Sequence, residues 1–207
     1  MDYTSARLNM VESQVRTNDV TDATIHEAMR NLHRELYVLP TRAALAYADR
    51  FVEYAEGRWI MPPRDVAKLL HATRPQPGER ALAIAAPYAA AVMARMGLRV
   101  TAMEDASADA HARMALEGEG VEVISGDLTG PEGAWDLVVT EAALPSVPDA
   151  WLEAVAPEGR LAVVIRRGPV GKATVYTRAA TAWSAREMFD SLPPWLPGFE
   201  PRPAFAF

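Results

Sequence analysis

The chain has 207 residues, half of them hydrophobic and 23% charged, with a formal net charge of -6. That length and apolar content suffice for a substantial buried core, and the acidic balance argues against general affinity for nucleic acid phosphates. Cysteine is absent, which excludes a disulfide framework, a thiol nucleophile and a cysteine-bound zinc.

The first 45 residues read as helical. Leu8, Val11 and Val15 fall at helical spacing, and Ile25, Ala28, Met29 and Leu32 repeat it. Thr21 and Asp22 precede the second run as natural N-caps. Pro40 and residues 57–63 read as turns and an irregular connection. Residues 64–72, with Val66, Ala67, Leu69 and Leu70, are expected as another amphipathic helix.

From Arg80 the rhythm changes. Short apolar runs at 81–85, 98–103, 121–125, 137–140 and 161–165 alternate with helical stretches at 89–96, 106–117 and 150–155. Such alternation implies right-handed crossovers and a mainly parallel sheet covered on both faces. Residues 173–178 favour a further strand, and the proline-rich tail closes on Phe205 and Phe207, read as a last strand at the sheet edge. No apolar run approaches the roughly 18 residues of a membrane-spanning helix, and residues 1–16 lack a signal-peptide core, so a cytoplasmic location is expected. The four histidines (His26, His33, His71, His111) show no metal-ligand spacing, so no metal is expected.

Several stretches together resemble one family. Residues 10–38 (MVESQVRTNDVTDATIHEAMRNLHRELYV), the step Ala46-Tyr47-Ala48-Asp49, the run from Trp135 to Ala143 followed by Pro145 and Pro148, and the turn Pro157-Glu158-Gly159-Arg160-Leu161 are similar to protein-L-isoaspartate O-methyltransferases of the bacterial branch. The resemblance implies an α/β, Rossmann-like S-adenosylmethionine-dependent methyltransferase fold, with a seven-stranded mainly parallel sheet. It further implies one methyltransferase-like domain over 1–207, divided into a helical N-terminal extension (1–75) and an α/β core (76–207). The activity implied is transfer of a methyl group from S-adenosylmethionine to the free carboxylate of isoaspartyl residues in damaged proteins or peptides. That carboxylate is already nucleophilic at neutral pH, so alignment and exclusion of water are the main requirements.

The resemblance also assigns the site. The cofactor loop falls at Ala85, Ala86 and Tyr88, Glu104 would accept the ribose hydroxyls, and Asp127 would meet the adenine edge. Two segments depart from the family pattern. The loop is about two residues short and has lost its glycines, with Ala83 at the acid's place, Ala85 at the first glycine and Pro87 lacking an N–H. On the substrate side Met61 stands at the family's serine and Trp59 at its threonine, so no catalytic residue is retained there; Thr140 is a weak candidate. Glu141 reads as a functional carboxylate or a solvated strand end, and Arg166-Arg167 as an attraction for an acidic substrate or an exposed turn. Three functions follow: an isoaspartyl methyltransferase with an unusual loop, a non-catalytic relative acting as a binding or regulatory module, or a methyltransferase acting on a different carboxylate. The second predicts a cleft filled near Ala86, Trp59 and Met61.

Overall fold

The computed structural model describes residues 2–180 and 182–201. Helix α1 (Tyr3–Met10) starts where the Asp2 carboxylate accepts the N–H groups of Thr4 and Ser5 at 3.0 and 3.1 Å. It runs on through a π-helical turn, Val11–Val15, and a 3-10 turn, Arg16–Asn18. Helix α2 (Ala23–Asn31) is capped by Asp22, which accepts the Thr24 N–H at 2.8 Å. Its apolar stripe, with Ile25, Ala28 and Met29 followed by Leu32, is buried as the spacing requires.

Residues 52–60 correct the expected irregular connection. Strands β1 (Val52–Ala55) and β2 (Arg58–Ile60) form an antiparallel hairpin. Gly57 supplies the left-handed φ of 68° that the turn needs. Val52, Tyr54, Arg58 and Ile60 face inward while Glu53 and Trp59 are half-buried, so the hairpin lays its inner face on the body of the protein. Helix α3 (Pro63–Thr73) follows.

The main sheet contains β3 (Arg80–Ile84), β4 (Arg99–Glu104), β5 (Glu122–Ser125), β6 (Trp135–Leu144), β7 (Val155–Arg167), β8 (Val170–Arg178) and β9 (Trp183–Asp190). Their order is β5-β4-β3-β6-β7-β8-β9; the first five are parallel, and β8 and β9 are added antiparallel. The seven-stranded, mainly parallel sheet read from the sequence is therefore present. Helices α4 (Pro87–Arg95), α5 (Asp109–Ala115) and α6 (Asp149–Glu153) lie in its crossovers.

The period of two explains how both faces are buried. On β3, Ala81 and Ala83 join one core and Leu82 and Ile84 the other; on β7, Ala162 and Val164 alternate with Leu161 and Val163 in the same way. The first core includes α1, α2 and the hairpin, so the N-terminal helices and the sheet share one apolar interior. The second is closed by Trp151 of α6, whose indole N–H donates to the Leu128 carbonyl at 2.7 Å.

The sheet's edges are β5 and β9, and β9 is the one that follows β8. Its residues 183–187 are exposed, so no apolar alternation marked it in the sequence. Phe205 and Phe207, read as the edge strand, lie outside the described residues. Among the described residues no helix is long and apolar enough to cross a membrane.

Candidate functional site

In open α/β sheets, ligands bind at the carboxyl ends of the strands where the strand order reverses, which here lies between β3 and β6. The loop from β3 into α4 lies at that point. Ala85 takes φ 49°, a left-handed conformation normally given to glycine. Its methyl group is buried. Ala86 begins α4, and Pro87 removes one of the helix's free N–H donors.

The Ala89 N–H, two residues further into the same first turn, is already taken. Glu141, on β6, accepts the Ala89 N–H at 2.9 Å with Oε1 and the Met61 N–H at 2.7 Å with Oε2. A carboxylate from the protein itself thus occupies the first turn of α4, where the helix dipole favours an anion. Glu141 is fully buried, which corrects the solvated reading of it. Burial pushes its carboxyl up to about 6, opposed by the Arg34 charge and by the two N–H groups it accepts.

Met61 is pinned from both sides. Its carbonyl accepts from the Arg34 guanidinium, which also donates to the Ala46 carbonyl at 2.7 Å. Arg34 is completely buried and lies 4.1 Å above the centre of the Tyr88 ring. Tyr88 in turn packs edge-on against Tyr37, with ring centres 5.4 Å apart. Tyr88, assigned to the cofactor loop by resemblance, is therefore a packed core residue and has no exposed surface.

The ribose-side acid shows the same closure. Glu104 ends β4 with 1% of its surface exposed and accepts the Tyr54 hydroxyl at 2.7 Å. Burial raises its carboxyl to about 7, although Tyr54 and Arg58 pull the other way. Arg58 comes from the same hairpin, is buried, and pairs with Asp105. Its Nε and Nη1, and Oε2 of Glu104, have no hydrogen-bond partner among the described residues. Hairpin residues therefore cover the acid that would accept a ribose.

Asp127 stands apart. It is exposed and accepts the N–H and hydroxyl of Thr129 at 2.9 and 2.8 Å, bonds that hold its carboxyl below the usual range. It forms a local turn rather than the wall of a pocket. Thr140 is buried, and its hydroxyl accepts the Ala142 N–H at 3.3 Å.

What remains open between Tyr54, Arg58, Trp59, Ala85, Glu141 and Trp195 is a cavity of about 10 Å³. That is room for about one water molecule, whereas sites for drug-sized ligands run to roughly 300–1,000 Å³. S-adenosylmethionine, the cofactor implied by the resemblance, does not fit this arrangement. The chain's own groups take the Ala89 N–H, one oxygen of Glu104 and most of the space between them, while Oε2 of Glu104 is left without a partner among the described residues.

The sequence reading brought together Ala85, Ala86, Met61, Glu104 and Tyr88, and all five are buried around this cleft. It missed Tyr54, Arg58 and Arg34, the side chains that close it. The alternation of Val52 and Tyr54 before Gly57 was a usable hairpin signal for the first two. A buried arginine leaves no such pattern.

Comparison with known proteins adds ancestry. The family model for Protein-L-isoaspartate(D-aspartate) O-methyltransferase (PCMT) matches residues 6–187. The chain is 37% identical over 182 residues to a protein-L-isoaspartate O-methyltransferase of Methylorubrum extorquens, covering 84% of this chain and 79% of that protein. It is 36% identical over 178 residues to a protein-L-isoaspartate O-methyltransferase of Aeropyrum pernix, covering 79% and 68%. A Plasmodium falciparum protein-L-isoaspartate O-methyltransferase, solved in complex with S-adenosyl-L-homocysteine, shares the fold with a TM-score of 0.78 at 17% identity, over 95% of this chain and 98% of that one.

Proposed function

The chain belongs to the protein-L-isoaspartate(D-aspartate) O-methyltransferase family, and from that membership we propose that it is a non-catalytic member, a binding module whose cofactor cleft is closed by its own side chains. The fold is that of the S-adenosylmethionine-dependent methyltransferases. One observation carries the proposal. Glu141 holds the Ala89 N–H at the start of α4 in a cleft with about 10 Å³ of free space.

Two further features support it. Tyr54 of the hairpin bonds Glu104, Arg58 of the same hairpin pairs with the adjacent Asp105, and Met61 stands where a hydroxyl side chain is expected beside the transferred methyl group. In this reading the helical segment 1–75 and the core 76–207 work as one domain, because Arg34 and Met61 of the former seal the cleft of the latter.

A second reading is the family's own reaction, methyl transfer to isoaspartyl carboxylates of damaged proteins. It is favoured by Glu104 at the end of β4 and by the left-handed φ of 49° kept at Ala85. Incubation with an isoaspartyl peptide and methyl-labelled S-adenosylmethionine separates the two. The non-catalytic reading expects label in the peptide no higher than in a protein-free control. Saturable label transfer would establish the second reading instead.

A further inference from the structure

The two edges of the main sheet are not alike. β9 is interrupted by a bulge at Met188 and carries Arg186 and Glu187 exposed, features that blunt an edge. β5 pairs with β4 in unbroken register, contains no proline or lysine, and has one charge, Glu122. Just past its end, the Gly126 N–H donates to the Glu104 carbonyl at 2.9 Å. Backbone groups alternate in direction along a strand, so residues 122 and 124 also turn theirs toward β4. Val121, Val123 and Ser125 turn their N–H and C=O groups outward, where no strand among the described residues meets them.

An open groove runs beside this edge. Its wall is Ala110, Arg113 and Met114 of α5 and Glu117 just beyond it, at helical spacing, and Val121 and Val123 form its floor. Met114 is 65% exposed, more than any other large apolar side chain among the described residues. The charged residues of the lining are Arg113 and Glu117. Arg113 donates to Asp109 through Nε at 2.9 Å, and its two Nη groups make no hydrogen bond to a described residue. Glu117 is exposed and makes no ion pair with a described residue. Of the other acids nearby, Glu119 pairs with Arg95 at 2.6 Å, and Glu122 accepts the Thr101 hydroxyl at 3.3 Å.

We infer that β5 pairs antiparallel with β5 of a second copy of this chain, about a two-fold axis at Val123, joining the two seven-stranded sheets. That rotation sets Val123 beside its own counterpart and Val121 beside Ser125 of the second copy. All of these residues point outward, so each pair exchanges both of its hydrogen bonds. Glu122 falls opposite Ile124 of the second copy, and no like charges face each other within the strands. The two α5 helices run antiparallel with Met114 between them, which turns Arg113 toward Glu117 of the second copy and the reverse. A foreign strand would satisfy the backbone groups. Opposite charges one turn apart on a single wall match an inverted copy of that wall, as a two-fold interface requires. The surface lies beyond β4 from the point between β3 and β6, so the inference does not rest on the closed cleft.

Sedimentation velocity of the full chain over a concentration series is expected to show a monomer–dimer equilibrium. Arg113→Glu alone and Glu117→Arg alone each bring like charges together and are expected to weaken dimerisation at least tenfold. Mixing the two variants is expected to restore it, because each then meets its opposite. The chain has no cysteine, so Val123→Cys adds a single thiol. A hydrogen-bonded antiparallel pair sets Cα atoms about 5.5 Å apart, inside the roughly 4.4–6.8 Å that a disulfide spans. Val123→Cys is expected to oxidise to a covalent dimer, while Glu187→Cys on the other edge stays largely monomeric. A monomer at every concentration would overturn the inference, whether or not a foreign peptide strand then adds to the edge. A dimer indifferent to both charge variants, a mixture that does not recover, or equal cross-linking at position 187 would overturn it as well.

Discussion

Tyr54 donates its hydroxyl to Glu104 at 2.7 Å across 50 positions of sequence, joining the small hairpin to the end of β4. The bond is buried, and it ties a carboxyl raised to about 7 to a phenol that burial drives well above its ordinary range.

The pH dependence follows from the sign of that shift. A carboxyl raised from 4.5 to about 7 binds a proton more tightly in the native state than in the unfolded one. Its contribution is fully present below pH 4.5 and is lost as pH rises through about 7. Glu104→Gln removes this dependence. The stability of Glu104→Gln relative to the unsubstituted chain is expected to rise by on the order of 2 kcal/mol between pH 5 and pH 8, measured by urea unfolding. Comparing the two chains cancels the opposite contribution of His111, which burial holds below its ordinary value.

Glu141 is expected to matter more than Glu104. Glutamine offers only one acceptor oxygen to the Ala89 and Met61 N–H groups, and alanine offers none. Leaving a buried donor unpaired costs about 1–3 kcal/mol. Glu141→Gln should therefore destabilise by about 2 kcal/mol and Glu141→Ala by about 3–4 kcal/mol. Amide hydrogen exchange at Ala89 and Met61 should speed up selectively in both variants. Unchanged exchange at those two amides would mean that Glu141 does not hold them.

Ala85 and Ala90 make a contrasting pair. Both are buried, but only Ala85 has a positive φ, 49°. Ala85→Gly should leave stability unchanged or raise it by up to about 1 kcal/mol. Ala90→Gly, inside α4, should cost about 1 kcal/mol. Denaturant midpoints of the two single variants check the difference in sign.

Restoring glycines and length between Ile84 and Tyr88 should not by itself restore cofactor binding. Tyr54, Arg58 and Glu141 would still fill the cleft from other elements. Calorimetric titration of the loop variant with S-adenosylhomocysteine is expected to show no saturable heat. Adding Tyr54→Ala and Glu141→Ala to it removes two of those obstructions and is the variant in which weak binding should first appear.

The fold was largely legible because burial on both faces of the sheet leaves apolar runs such as Leu82 to Ala85 and Val138 to Val139. The hairpin and β9 were not. The first is short and carries arginine and tyrosine inward, and the second turns polar residues to solvent on both faces. In the site, Ala85, Ala86, Met61 and Glu104 were legible as residues of one cleft. The side chains that close the cleft were hidden because they arrive from distant segments. Arg34 and Glu141 lie 107 positions apart, and each holds one backbone group of Met61.

The closed cleft is tested most directly by thermal unfolding of the full chain with millimolar S-adenosylhomocysteine. A closed cleft gives the same melting temperature with and without ligand. A ligand present at a hundred times its dissociation constant would add about 2.7 kcal/mol of stability. A saturable rise in melting temperature, abolished in Glu104→Ala, would contradict the account by showing that the hairpin opens to admit the cofactor.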